Sequence, residues 1–488
     1  MAKSIKKNAI YSLINTGSSL IFPLISFQYA SRILLAENIG KVNYSNSIVT
    51  YFTLFAALGI ATYAVREGAR IRDDRLALQN LASELFSINM VSTLISYIAL
   101  ILLVFFNDAL HPYKYLLLIQ GTAMFFNTLG VNWINTIYED YAYITLRNVL
   151  MQIISFVFLI LFVHESRDYY IYALILVTSS VGANIMNFFY TRSKYCKCQL
   201  IFKKGLLKHL KPIGLIFAMS LSVSIYVNVD TTMLGIFEGD RSVGIYTASA
   251  KIYSMIKTIL TAVLTVTIPR FSYYLGEKKK KEYLSLAKNV SAFLLVFAIP
   301  VTVGLILLSK EVLWIYAGND FLSGSMALRL LSIAIVVSVF ANMVTNAILI
   351  PLKKELLVWI ATVLSAVTNI VLNLFFIPNY GMNGAAITTI ISEILTLIIE
   401  MLYLYWNKYL KCKYLFDLLP SLVKCCISSI GIVGVCIAAN SIERFEIRII
   451  IQVSVSIIIY FLILLLLKER TVVDYCTKTV QRIRGQKV

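Results

Sequence analysis

"GAAITTIISEILTLIIE", residues 384–400, decides the class of this chain. It is apolar apart from its hydroxyls and two carboxylates, Glu393 and Glu400, and it runs on as "MLYLYW" to residue 406. A run of this length matches the hydrocarbon thickness of a bilayer. Thr389, Glu393, Thr396 and Glu400 recur at i, i+4, i+7 and i+11, so a helix puts them on one face. Lipid cannot satisfy such a face. It must turn toward protein or water, and a charge on it is costly enough to need a reason.

Working outward, comparable runs recur along all 488 residues. The chain is 59% hydrophobic and 14% charged, with mean hydropathy +0.79. A soluble chain of this length would cover several cores with charged surface, and this composition cannot. The fold class is therefore an all-α polytopic membrane protein. A β-barrel is excluded because the apolar runs are continuous rather than alternating. The first apolar stretch is too long for a signal-peptide core and reads as a retained first helix.

Chemistry-bearing motifs are sparse. The seven cysteines, among them Cys196 and Cys198 in a basic loop and the adjacent Cys425 and Cys426, have neither zinc spacing nor a disulfide framework. Three scattered histidines (His111, His164, His209) make no catalytic or metal motif, and no phosphate-binding loop appears. No cofactor, metal or catalytic residue is expected, and the short loops leave no room for a soluble enzyme domain. An ATP-driven pump would need its ATPase from another chain.

Fourteen spans are expected, at 8–33, 42–65, 81–106, 113–137, 143–163, 169–190, 213–237, 244–268, 289–308, 327–350, 355–377, 383–406, 419–440 and 446–467. With the N-terminus inside, the inner segments hold about 32 of the 44 Lys and Arg, and the outer loops about 7. Both termini are thus expected in the cytoplasm. The net charge of +19 follows from this asymmetry and favours anionic lipid, not nucleic acid. "GEKKKKEY" (276–283) reads as a cytoplasmic membrane anchor for the same reason.

"IGKVNYSNSI" (39–48) and "VGIYTASAKI" (243–252) share G-x4-S-x2-I, each at the start of a span after a short outer loop. This register maps spans 1–6 onto 7–12 in the same orientation, a repeat that builds two-lobed transporters. The expected organisation is an N-lobe at 1–190, a basic cytoplasmic linker at 191–211, a C-lobe at 212–407, and two further helices with a basic tail at 408–488.

Polar stripes accompany the repeat. Span 1 carries Asn8, Ser12, Asn15, Ser19 and Ser26; span 7 carries Ser220, Ser224, Asn228 and Thr231 with Asp230 beside them. Span 8 carries Lys251, Ser254, Thr258 and Thr265, with Lys257 on another face; span 11 carries Asn369 and Asn373. Such stripes either glue helices together or line a hydrated path. For Asp230, Lys251, Lys257 and Glu393 an apolar residue would be cheaper structurally, which points to function, with an internal Asp–Lys pair as the rival. Glu400, near the cytoplasmic end, reads as solvated. Gly17 and Pro23 are candidate bends in span 1.

The ordered set "YASRILLAENIGKVNYSNSIVTYF" (29–52), "YAVREGARIRDD" (63–74), "NWINTIYEDYAYITLRN" (132–148), "VDTTMLG" (229–235) and "IPNYGMNGAAITTIISE" (377–393) resembles the Wzx-type oligosaccharide flippases of the multidrug/oligosaccharidyl-lipid/polysaccharide exporter superfamily. The resemblance spans nearly the whole chain. It implies two six-helix lobes forming a V plus two C-terminal helices, in a bacterial cytoplasmic membrane. It also implies movement of a polyprenyl-pyrophosphate-linked glycan from the inner to the outer leaflet by alternating access, coupled to a proton or sodium. Glycosyltransferases and a polymerase of a capsule or O-antigen pathway would be its partners.

A pyrophosphate calls for Arg or Lys. Arg32, Arg66, Lys251 and Lys257 are the candidate substrate ligands, and Asp230, Glu393 and Glu139 are the candidates for ion coupling or for pairing with those cations. The rival readings are interfacial snorkelling for Arg32, positive-inside anchoring for Arg66 and an exposed loop carboxylate for Glu139. A cation-coupled multidrug exporter of the same superfamily is the alternative function, which Lys251 and Lys257 oppose. A polysaccharide polymerase is a further one, which the short outer loops oppose.

Overall fold

The computed structural model describes residues 5–409 and 413–483. Lys3, Lys411, Arg484 and Lys487, part of the expected inner charge, lie outside the described residues. Every element described is helical. Among the described residues, eleven helices are long and apolar enough to cross a membrane.

The first compact unit comprises residues up to 247 together with 316–321. It holds α1 (Ile5–Ala57), α2 (Ile60–Arg70), α3 (Arg75–Phe106), α4 (Lys114–Gly130), α5 (Trp133–Ile137), α6 (Tyr141–Phe162), α7 (Tyr169–Lys194), α8 (Leu207–Phe237) and the first turns of α9 (Asp240–Gly276). Pro23 sits inside α1, yet the break comes at Leu35, with φ 64°. The backbone N–H of Ala36, freed by that break, donates to Asp320 Oδ2 at 2.7 Å, so a carboxylate caps the new helix start. Two expected spans are also interrupted. Span 2 breaks at Leu58 and Gly59, and span 4 at Val131, all at positive φ.

Residues 195–206, read from sequence as part of a linker, are tied to α3: Ser83 Oγ accepts from the Gln199 N–H and Ser87 Oγ from the Ile201 N–H. Cys196 is buried there. The Cys198 thiol donates to Cys196, which lowers the Cys196 pKa and raises that of Cys198. Leu78, Leu85, Trp133, Ile137 and Ile213 form the core beneath.

The second unit comprises residues 248–315 and those from 322 onward. It holds the rest of α9, then α10 (Lys280–Leu307), α11 (Ser309–Ala317) up to Ile315, α12 (Ser325–Met343), a π-helical turn (Val344–Leu349), α13 (Glu355–Trp406), α14 (Lys413–Ala439), α15 (Phe445–Leu466) and α16 (Arg470–Ile483). α13 is two antiparallel arms joined by a break at Gly381, φ 55°. A Cβ on Gly384 would lie 2.2 Å from the Phe376 carbonyl oxygen, so only glycine lets the arms close. Leu295, Leu418, Cys425, Ile432, Tyr460 and Leu464 form the core where α10, α14 and α15 pack.

Four helix ends in this unit close in the same way. Lys278, Lys353, Lys408 and Lys468 adopt left-handed φ of 51–57°. In each, the lysine N–H and the next N–H bond back to carbonyls three and five residues earlier, as in Lys408 to Tyr405 and Tyr409 to Leu404. That is the Schellman geometry, which normally takes glycine. Lysine accepts a backbone cost of about 1 kcal/mol and places a cation at the negative end of the helix dipole.

Candidate functional site

In the second unit α13 and α9 bring Glu393 and Lys257 together. Lys257 Nζ donates to Glu393 Oε1 at 2.7 Å, and the Tyr253 hydroxyl donates to the same oxygen at 2.9 Å. Tyr253 and Lys257 are one turn apart, so α9 presents both on one face. The Lys257 ammonium also lies 5.7 Å from the Tyr253 ring centroid. The Glu393 side chain is 6% exposed and that of Lys257 25%. This is an ion pair between two membrane-spanning helices, compensated by a phenol.

The rest of the 384–400 stripe divides by role. Thr389 bonds back to the Ala385 carbonyl within its own arm. Ser365 bonds Thr396 at 2.7 Å and Thr388, next to the stripe, reaches the Asn373 amide oxygen, so these groups fasten the two arms of α13 together. Asn369 and Asn373 join the same seam at 3.1 Å, which makes the span 11 asparagines helix glue. Glu400, expected to be solvated, is fully buried and accepts from Thr345 at 2.6 Å. The π-helical turn carries Thr345 to it. Lys251 is half-buried on α9, six residues before Lys257 and about 240° around the helix.

The first unit places the other candidates separately. Asp230 is buried on α8 and accepts from Tyr246 at 2.7 Å. Glu139, at φ 53°, accepts from Arg72 at 3.1 Å and from Asn8 at 3.4 Å, with its side chain 42% exposed. Arg66 pairs with Glu67 at 2.9 Å at the exposed end of α2. Arg32 is exposed on α1, its stem packed beside Gly318.

Two features of this unit escaped the sequence reading. Arg147, which falls inside the span expected at 143–163 and has no role assigned from the sequence, is buried in α6. Its guanidinium donates to Asn132 at 2.9 Å and Asn148 at 3.1 Å and lies over the Tyr143 ring. Asn148 donates on to Asn15 of α1, and Asn132 to Asn184 of α7. The run of asparagines between 127 and 187 is the only sequence signal of this network.

The second feature is the meeting of the repeat with itself. Asn43 donates to Thr247 at 2.9 Å, a separation of 204 residues. The same separation relates Gly40 to Gly244. A Cβ on Gly40 would lie 1.7 Å from the Asp240 carbonyl oxygen, and one on Gly244 would lie 1.9 Å from that of Ala36. Equivalent positions of the two copies thus touch, backbone on backbone.

Among the described residues no group of three His, Cys, Asp or Glu could hold a metal. Long apolar helices with an ion pair between two of them define a multi-pass membrane protein. The chain belongs to the polysaccharide biosynthesis protein family, whose match covers residues 5–275, more than half of its length. A match to the MatE family covers residues 216–375.

It is similar to a candidate O-antigen transporter of Escherichia coli (strain K12), 21% identical over 294 residues, 60% of this chain and 71% of the relative. A counterpart in Shigella dysenteriae is 21% identical over 356 residues, 72% of this chain and 87% of that one. In fold it is similar to the lipid II flippase MurJ in an inward closed conformation, with TM-score 0.75 and 18% identity over 94% of this chain and 100% of that one. An inward-facing multidrug resistance MATE family transporter gives TM-score 0.63 at 16% identity, covering 79% and 93%.

Proposed function

We propose that this protein moves a polyprenyl-pyrophosphate-linked oligosaccharide from the inner to the outer leaflet of a bacterial cytoplasmic membrane, by alternating access, for a surface polysaccharide. In this reading the chain crosses the membrane fourteen times, with α1 and α13 each contributing two crossings and α4 one, and both termini lie inside. Lobes at 1–190 and 212–407 are the moving parts. The family, the relatives and the fold support a lipid-linked glycan as cargo. The observation that carries the mechanism is the Lys257–Glu393 pair, with Tyr253 on the same carboxylate oxygen.

At rest the pair is electrically neutral and stable inside the membrane. A pyrophosphate oxygen can replace Glu393 on the Lys257 ammonium, since both are anionic acceptors of similar size. Lysine acts as a point charge without sugar-specific geometry, so it recognises the carrier common to many glycans. The freed Glu393 is then the group at which a proton or sodium ion would couple. An inside-negative potential favours outward movement of the anion by about 2.3 kcal/mol per charge per 100 mV. Lys251, on the same helix, is the second candidate cation. Arg32 and Arg66 are the outer and inner candidates of the first unit.

The test is complementation of a flippase-deficient strain, together with leaflet accessibility of the lipid-linked glycan. Lys257→Ala and Lys251→Ala should insert normally and fail to restore surface polysaccharide, while Lys257→Arg should restore part of it. Normal export by the Lys251→Ala/Lys257→Ala double variant would refute the cationic recognition. Drug efflux without glycan export would select the multidrug exporter instead.

A further inference from the structure

The motif "GEKKKKEY" is more than scattered anchoring charge. Its helix end borders a cleft of about 270 Å³ within the second unit. Leu275, Leu284, Ile348 and Leu352 supply apolar walls, and Lys278 and Lys280 stand at the rim. Both lysines are exposed, and neither is paired with a carboxylate among the described residues. The neighbouring Glu277 is taken by Lys279 at 3.9 Å. Four lysines against two glutamates leave the segment 277–282 at a net charge of two positive.

The position of the cleft is set by helix ends. Lys278 is the left-handed cap of α9, Leu352 directly precedes the cap at Lys353, and Tyr409, which also lines the cleft, directly follows the cap at Lys408. Three capped ends of membrane-spanning helices therefore converge on it. Such ends lie at the boundary between hydrocarbon and head groups. The cleft is apolar toward the helices and cationic toward the rim, in the order in which a phospholipid is apolar and then anionic.

We propose that this cleft binds one anionic phospholipid of the inner leaflet. Its phosphate sits between Lys278 and Lys280, and the first part of an acyl chain lies against Leu275, Leu284, Ile348 and Leu352. The volume lies just under the usual range of small-molecule sites, enough for a head group and the start of a chain. Charge complementarity selects the anionic lipid over a zwitterionic one. Each lysine near an anionic surface contributes about fivefold in affinity. The site lies on the same helix as Lys257, so an occupied cleft holds the inner end of α9 at the membrane boundary.

The test uses the purified full chain in a neutral detergent, titrated with dioleoyl phosphatidylglycerol or dioleoyl phosphatidylcholine. Bound copies are counted by native mass spectrometry. One phosphatidylglycerol should be retained more tightly than phosphatidylcholine. Lys278→Ala/Lys280→Ala should weaken that copy about twenty-fivefold, and Lys278→Arg/Lys280→Arg should keep it. Leu352→Trp, which fills the cleft and leaves both charges, should also displace it. Unchanged retention by the alanine pair, or equal retention of the two lipids, would overturn the proposal. Competition by inorganic phosphate alone would reduce the site to a phosphate patch. Displacement by substoichiometric polyprenyl diphosphate would assign the cleft to the carrier lipid, and either result would also overturn it.

Discussion

Removing either partner of the Lys257–Glu393 pair should cost far more than removing both. At 2.7 Å and an effective dielectric of 20, the Coulomb attraction is about 6 kcal/mol before desolvation is subtracted. Breaking a buried pair by deleting one member typically costs about 3–5 kcal/mol, because a charge is left without compensation. Lys257 is a quarter exposed and Glu393 nearly closed off. Glu393→Gln, which strands the better-hydrated lysine, should therefore cost about 3 kcal/mol, and Lys257→Met, which strands the glutamate, closer to 5. Lys257→Met/Glu393→Gln leaves no charge, and the Tyr253 hydroxyl still has an amide oxygen to meet. The double variant should lie within about 1 kcal/mol of the wild type, giving a coupling energy of about 7 kcal/mol in magnitude. Thermal unfolding of the four proteins in one detergent measures this, and reconstituted flipping of the lipid-linked glycan measures function on the same preparations. The double variant should be stable and inactive. If both single variants unfold with the wild type, the pair is solvated. If the stable double variant flips its lipid normally, Lys257 recognises nothing.

Further outcomes follow from other contacts. Gly40→Val should abolish folded yield on size exclusion, since even its Cβ would overlap the Asp240 carbonyl; wild-type yield would show that the helices can separate there. Lys408→Gly should raise stability in detergent by up to about 1 kcal/mol by removing left-handed strain, and a loss would mean that the lysine charge outweighs the backbone cost. Arg147→Ala should cost about 1–3 kcal/mol by leaving the half-buried Asn132 and Asn148 amide oxygens without their donor, read as lost thermal stability with unchanged membrane insertion. Cysteines placed at Ser242 and Gly324 should label from outside and those at Lys279 and Lys353 from inside; reversed labelling would overturn the topology.

What could be read from the sequence is what depends on near neighbours along the chain. Hydropathy over some twenty residues marked an all-helical membrane chain, and the 3.6-residue period put Glu393 on a polar stripe before any partner was known. The shared G-x4-S-x2-I marked two equivalent stretches. Tertiary structure decided everything that depends on the rotation of one helix against another. Glu393 meets Lys257 across 136 residues, and no periodicity says which of two lysines on α9 faces α13. Thr396 shares the stripe with Glu393 but binds Ser365 across the hairpin of α13 instead, and Thr388, off the stripe, binds across it to Asn373. Arg147 lay inside an expected span with no partner legible in the sequence, and only the packing of α6 among asparagines shows what holds it. The lysine caps stayed hidden because glycine is the expected residue in a left-handed turn, and the compensating dipole and interface exist only once the helices are assembled. Gly40 and Gly244 belonged to a repeat on paper; contact between the two copies, at the one side-chain size that permits it, is a property of the fold.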